Sequence, residues 1–153
     1  MTPPIRQAAR VIALDDQDRV LLLRYDEGGG FWATPGGSLD EGEDHQTALR
    51  RELHEELGVD DAELGTQVAE RSQEHEVGGQ TVRQVERYYL ARLATGAANL
   101  ARATLPDTIR SLRWWTVNEL RTTSETVYPG ELGDLVARLL SNGTPANPIT
   151  LGS

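Results

Sequence analysis

The 153-residue chain carries 24 acidic against 15 basic residues, a formal net charge of -9, and no cysteine. That length suits one folding unit, 1–153, with a core that 38% hydrophobic residues suffice to fill, while the acidic balance argues against a nucleic acid polymer as partner. No run nears the roughly 18 apolar residues that span a membrane, the start MTPPIRQAAR lacks the apolar stretch of an export signal, and the missing thiols remove disulfide and thiolate chemistry, which fits the cytoplasm.

In chain order, Gln7 to Ala13 reads as a strand and Asp15, Asp16 and Asp18 as a polar turn. Arg19 to Tyr25 (RVLLLRY) follows as a second strand, aliphatic enough to lie centrally. Gly28, Gly29 and Gly30 make a flexible loop. Phe31 to Ala33 is a short extended piece running into Pro35-Gly36-Gly37, a tight bend. A helix is predicted from about Asp44 to Leu57. Asp40, Glu41, Glu43 and Asp44 crowd its start, where the helix dipole favours them. Ala48, Leu49, Leu53 and Leu57 recur at helical spacing, and Gly58 suits the position just past the helix end.

Two strands, about Gln67 to Val77 and Thr81 to Ala94, flank the hairpin signal Gly78-Gly79. Thr95 to Pro106 reads as a loop, Leu112 to Val117 as a strand, and Gly130 to Leu140 as a second helix with Leu132, Leu135, Val136 and Leu139 on one stripe. From about residue 142, Gly143, Pro145 and Pro148 indicate a loose tail. The order strands, helix, strands, helix predicts an α+β fold, an α/β/α sandwich with a mixed, mostly antiparallel sheet between helices.

Glu52, Glu55 and Glu56 fall on one narrow face of the first helix, since Glu55 lies about 60° to one side of Glu52 and Glu56 about 40° to the other at roughly 100° per residue. Like charges at these spacings destabilise a helix by roughly 0.2–0.5 kcal/mol per pair. Arg51 offsets part of this, and a divalent cation would offset more, since carboxylates are hard oxygen ligands suited to Mg²⁺. Taken alone, the three glutamates read first as a solvated acidic face.

They stand in a longer pattern. Gly37 is followed by Glu43, then Arg51, Glu52 and Leu53, then Glu55 and Glu56, then Gly58 and Val59. This spacing is identified as the Nudix box, matched at all nine defining positions, a coincidence on the order of one in ten million at ordinary residue frequencies. Trp32 before Pro35-Gly36-Gly37, and Trp114-Trp115 before Asn118-Glu119-Leu120, also resemble that family.

The resemblance to Nudix hydrolases implies the α/β/α sandwich. It implies a Mg²⁺ or Mn²⁺ site made by Glu52, Glu55, Glu56 and the main-chain carbonyl of Gly36. Arg51 would orient a catalytic carboxylate, Glu43 would pair with Arg51, and Gly37 and Gly58 would serve as structural glycines. The reaction implied is metal-dependent hydrolysis of a diphosphate linkage in a nucleoside diphosphate-linked compound, with a homodimer as the common assembly. The cation would bridge acidic protein and anionic substrate and acidify the attacking water.

In one respect the chain departs from the family pattern. Many members carry another glutamate before the last strand; here LPDTIRSLRWW offers only Asp107. The base that takes the water proton therefore stays open among Glu55, Glu56, Glu86 and Asp107, with Glu74 and Glu76 as further sources. Where ADP-ribose hydrolases resemble one another in a downstream proline, this chain has His75, and Glu76 replaces the tyrosine of dinucleoside polyphosphate hydrolases. Both favour a nucleoside triphosphate or related small nucleotide, with an ADP-ribose or dinucleotide pyrophosphatase as the alternative. Candidate substrate contacts are Arg24, Arg83, Trp32, Trp114, Glu86, Tyr88 and Tyr89, each equally readable as an ordinary surface or core residue; His45, His54 and His75 read as surface. A nucleotide-binding domain without turnover is the competing class, disfavoured because such domains usually lose a box glutamate.

Overall fold

The computed structural model describes residues 2–103 and 109–152. Strand alternation sets up its two faces. In β1 (Ile5–Leu14), Ala9, Val11 and Ala13 turn to one side and Ile12 and Leu14 to the other, as a period of two requires. In β2 (Val20–Tyr25), Leu21 and Leu23 join the first side and Val20 and Leu22 the second. α1 (His45–Leu57) covers the first face with Leu49, Leu53 and Leu57. α3 (Leu132–Asn142) covers the second with Leu132, Leu135, Val136 and Leu139. The predicted helix–sheet–helix arrangement of an α+β fold is the observed one.

The remaining strands are β3 (Phe31–Ala33), β4 (Gly36–Ser38), β5 (Glu63–Val77), β6 (Gln80–Arg92), β7 (Ile109–Trp115), β8 (Val127–Tyr128) and β9 (Ile149–Leu151), with a short helix, α2 (Val117–Thr122), after β7. The sheet runs β8-β3-β2-β1-β6-β5-β9, with β4 also on β1 and β7 also on β2. It is mixed: β1–β6, β3–β8 and β5–β9 are parallel, the others antiparallel.

Several local expectations change. Pro35-Gly36-Gly37 is not simply a bend. Gly36 to Ser38 is extended and pairs with Ala8 to Arg10 of β1, because that half of β1 has no β2 partner and its backbone groups need one. Val117 starts a helix instead of ending a strand: Thr116 and Glu119 form a capping box, each side chain accepting the other's backbone N–H. The C-terminal tail is not loose throughout. After Gly143, residues 149–151 run parallel to Ala69–Arg71 of β5, and Leu151 is buried in the α3-side core. That pairing fills an open strand edge, which Gly and Pro content does not reveal.

The Asp15 turn also joins distant segments. Its fully buried carboxylate accepts from the Gln17 and Arg19 N–H groups at 3.0 and 2.9 Å and from Thr95 Oγ1 at 3.0 Å, and pairs with the Arg19 guanidinium at 2.8 Å. Burial by itself would raise the Asp15 pKa, but these bonds outweigh it and hold the carboxyl below its ordinary value.

Leu151→Ala should cost about 2–3 kcal/mol in urea unfolding if β9 is part of the core, and almost nothing if the tail is loose. For Asp15 the folded pKa lies below the unfolded one. Its stabilisation is therefore present above about pH 4 and lost as pH falls through the folded value. Asp15→Asn should flatten that acid limb of the stability–pH curve.

Candidate active site

α1 begins where Asp44 accepts the Thr47 N–H at 2.7 Å and ends at Gly58, whose φ of 66° is left-handed. There the Gly58 and Val59 N–H groups close on the His54 and Leu53 carbonyls, a paired closure that a residue with a Cβ adopts reluctantly. Packing Leu49, Leu53 and Leu57 on the sheet carries the neighbouring Glu56 into a buried position and leaves Glu52 and Glu55 half-buried.

Arg51 organises the acidic face. Nε and Nη2 donate to the two oxygens of Glu43 at 2.8 and 2.9 Å. Nη1 donates to Glu52 at 3.0 Å and Glu55 at 3.2 Å, Nη2 also reaches the Ser38 carbonyl at 3.1 Å, and Asp40 lies 3.2 Å from Nε. The Arg51 hydrogen bonds, with a bond from the Asp40 N–H, hold the Glu43 carboxyl at about 2. Glu43 and Arg51 thus tie the loop to the helix.

Glu56 turns elsewhere. One oxygen accepts the Gly36 N–H at 3.1 Å, and Tyr25 Oη lies 3.4 Å from the other. Burial, reinforced by the charge of Glu52, pushes Glu56 up to about 8. Burial raises Glu52 as well. Gly37 stands against the Glu52 carboxylate: a Cβ there would lie 2.5 Å from Oε1. Among the described residues no three acidic or imidazole side chains converge on one point, because Arg51 draws Glu52 and Glu55 while Gly36 draws Glu56. The donor chemistry nonetheless suits a hard divalent cation: carboxylate oxygens, two of them destabilised as anions by burial, beside a glycine loop with no Cβ in the way.

Beside this loop lies a cleft of about 490 Å³ whose lining includes Arg10, Phe31, Thr34, Arg71, Glu86 and Tyr128. Tyr25 and Phe31 stack at 5.2 Å, Phe31 meets Tyr128 edge-on at 5.4 Å, and the Arg71 guanidinium sits 5.8 Å over the Tyr128 ring. Of the sequence candidates, Glu86 and Tyr88 line this cleft. Glu86 accepts from Arg10 and Arg71 at 3.0 and 2.9 Å, from Gln84 at 3.3 Å and from Tyr88 at 3.2 Å. Burial alone would raise its pKa, but Arg10 and Arg71 hold it below the ordinary value. A carboxylate so engaged is a poor base.

Arg24 and Trp32 are not brought to the carboxylates: both bond Glu125, at 3.0 and 3.2 Å, with Arg24 also over the Trp32 ring. Arg83 pairs with Glu74 on the outer hairpin, Trp114 bonds the Thr95 carbonyl, and Tyr89 packs in the α1-side core. His54 pairs with Asp60, His45 is half-buried near Tyr89, and exposed His75 lines the cleft. Asp107 lies outside the described residues. Arg10, Tyr25 and Arg71 were missed. The one available sign for Arg10 was a charge inside an otherwise apolar strand, QAARVIA.

A loop–helix unit of this kind, packed on a mixed sheet, defines a class of small α+β domains. The chain belongs to the NUDIX domain family, whose model matches residues 4–136. It is similar to the RNA pyrophosphohydrolase of Pelagibacter ubique, 37% identical over 62 residues, covering 40% of this chain and 39% of that one. It is also similar to the RNA pyrophosphohydrolase of Novosphingobium aromaticivorans, 42% identical over 74 residues, 47% and 45% of the two chains. It therefore spans less than half the length of these relatives. Among solved structures, a C. elegans Ap4A hydrolase binary complex shares the fold with a TM-score of 0.65 at 20% identity, covering 89% of this chain and 96% of that one.

The two loop glycines should respond differently to a methyl group. At Gly36, φ is 138° and a Cβ would run into the Ala9 carbonyl and the Arg10 backbone, so Gly36→Ala should cost about 3 kcal/mol or more in chemical unfolding. At Gly37 the obstacle is the movable end of Glu52. Gly37→Ala should leave stability within about 1 kcal/mol while turnover falls, because the carboxylate is displaced.

Proposed function

We propose that the chain is a Mg²⁺- or Mn²⁺-dependent pyrophosphohydrolase that cleaves a diphosphate linkage in a nucleoside triphosphate or related small nucleotide. The observation that carries this reading is the Arg51-centred loop–helix unit with Glu52, Glu55 and buried Glu56, whose glycine loop borders the 490 Å³ cleft at Thr34 and Arg10. Glu52, Glu55, Glu56 and the Gly36 carbonyl are the groups assigned to the cation. When bound, it neutralises the diphosphate and acidifies water beside it. Arg51 holds Glu52 and Glu55 in place through hydrogen bonds, Glu43 fixes Arg51, and the Gly36 N–H orients Glu56. Tyr128 and Phe31 offer ring faces to a base, and Arg71 faces the substrate's negative charge. Among the described residues no helix is long and apolar enough to cross a membrane; placement in the cytoplasm, and a homodimer, belong to the same proposal.

The relatives' names favour one further substrate of the same chemistry, the 5′-triphosphate end of an RNA, against the net charge of -9 that disfavours binding along a nucleic acid polymer. A single experiment addresses both: product analysis with Mg²⁺ or Mn²⁺ on (d)NTPs, oxidised dNTPs, ADP-ribose, dinucleoside polyphosphates and 5′-triphosphorylated RNA. Cleavage of one class, abolished by chelation, is expected. Glu56→Gln keeps an oxygen for the Gly36 N–H and should fold, with turnover lower by at least about a hundredfold. Tight nucleotide binding with no cleavage of any substrate would instead mark a nucleotide-sensing domain.

A further inference from the structure

The backbone leading into the acidic helix is gripped by β1 at successive carbonyls. Arg10 Nη1 donates to the Thr34 and Gly36 carbonyls, each at 3.3 Å, and the Val11 N–H donates to the Pro35 carbonyl at 3.0 Å. The Gly36 N–H is held from the other side by Glu56 at 3.1 Å. Gly36 also lies directly on the Ala9–Arg10 backbone, with no space for a Cβ. Arg10 is fixed in turn: its Nε donates to Glu86 at 3.0 Å, and Arg71 holds the other Glu86 oxygen at 2.9 Å. The chain Arg71–Glu86–Arg10–Gly36 therefore runs from the floor of the cleft to the glycine loop. None of Arg71, Glu86 and Arg10 belongs to the Gly37–Val59 motif.

We propose that Arg10 is a positioning residue for the Gly36 carbonyl, held in place by Glu86, so that the cleft and the cation site form one hydrogen-bonded unit. This rests on the Gly36 carbonyl being a cation ligand, as proposed above. A carbonyl oxygen has two lone pairs. Arg10 engages the Gly36 oxygen with one donor, so that a second lone pair would serve a cation, and its hold resists turning of the peptide. Mg²⁺ demands near-ideal geometry, so a freely turning carbonyl is a weaker ligand. The guanidinium suits this task because its fork spans a carboxylate and two carbonyls at once. A lysine ammonium presents a single point of charge and can replace only part of the set.

The test is Mn²⁺ binding followed by electron paramagnetic resonance, with no nucleotide present, for the wild-type chain and the Arg10→Lys, Arg10→Met and Glu86→Gln variants. Circular dichroism melts would accompany each. Arg10→Met should bind Mn²⁺ about tenfold or more weakly, Glu86→Gln less severely, and Arg10→Lys should recover part of the loss. The double variant Arg10→Met/Glu86→Gln should bind no worse than Arg10→Met, since both act through one chain of bonds. In turnover, kcat should fall more than KM rises. Folded Arg10→Met with Mn²⁺ affinity within about twofold of wild type overturns the inference. If that variant does not fold, wild-type affinity in both Arg10→Lys and Glu86→Gln overturns it equally. No Mn²⁺ binding by the wild-type chain removes the proposed function and this inference together, whereas wild-type binding with unaffected variants removes the inference alone.

Discussion

Four carboxylates and a main-chain carbonyl meet at the guanidinium of Arg51. An acidic helix face packed beside a sheet is unfavourable, since like charges repel and partial burial strengthens the repulsion. Arg51 answers this from within the helix, because its planar fork presents several donors at fixed angles and it cannot lose its proton. Asp40, Glu43 and Ser38 lie in the loop, Glu52 and Glu55 on the helix, so one side chain joins the two parts. The geometry of the loop–helix unit follows from that link.

The same link sorts the glutamates. Glu52 and Glu55 are drawn to Arg51, while Glu56, one residue from the core leucine Leu57, is buried against the glycine loop. Carboxyls within one helical turn therefore stand in different environments, set by burial and partner and not by residue type, with burial pushing Glu56 up to about 8. Gly36 and Gly37 matter because backbone must pass between β1 and Glu52 without side chains in the way.

The cleft arises from a change of character along the strands. On one face of β1 and β6, Ile12, Leu14 and Tyr88 pack into the α3-side core, and further along the same face come Arg10 and Glu86. Alternation continues, but the helix layer does not, so side chains that would have met α3 line a polar cavity. Buried charges there are tolerated because each carboxylate oxygen of Glu86 has guanidinium and neutral donors.

The long elements were legible in the sequence because their signals are local. Short apolar runs marked β1 and β2, Gly78-Gly79 marked the hairpin, and the leucine spacing with Asp44 and Gly58 marked α1 and its ends. The box glutamates and the Glu43–Arg51 link were legible too, since both depend on short separations around one helix. The short elements β4 and β9 were not, because a three-residue strand exists only through the distant strand that accepts its hydrogen bonds. α2 was not legible either, its first residue Val117 reading as the end of the preceding strand, although Thr116 and Glu119 form a local capping box. Arg10, Tyr25 and Arg71 gave no motif: the carboxylates they meet lie from 15 to 76 residues away in sequence. The sequence by itself determined the helix, its capping and the acidic chemistry on its face, because those rest on contacts within a few residues. Only the tertiary structure decided which glutamate is buried, which arginines reach the glycine loop and where the cleft opens, because those depend on segments that meet through the sheet.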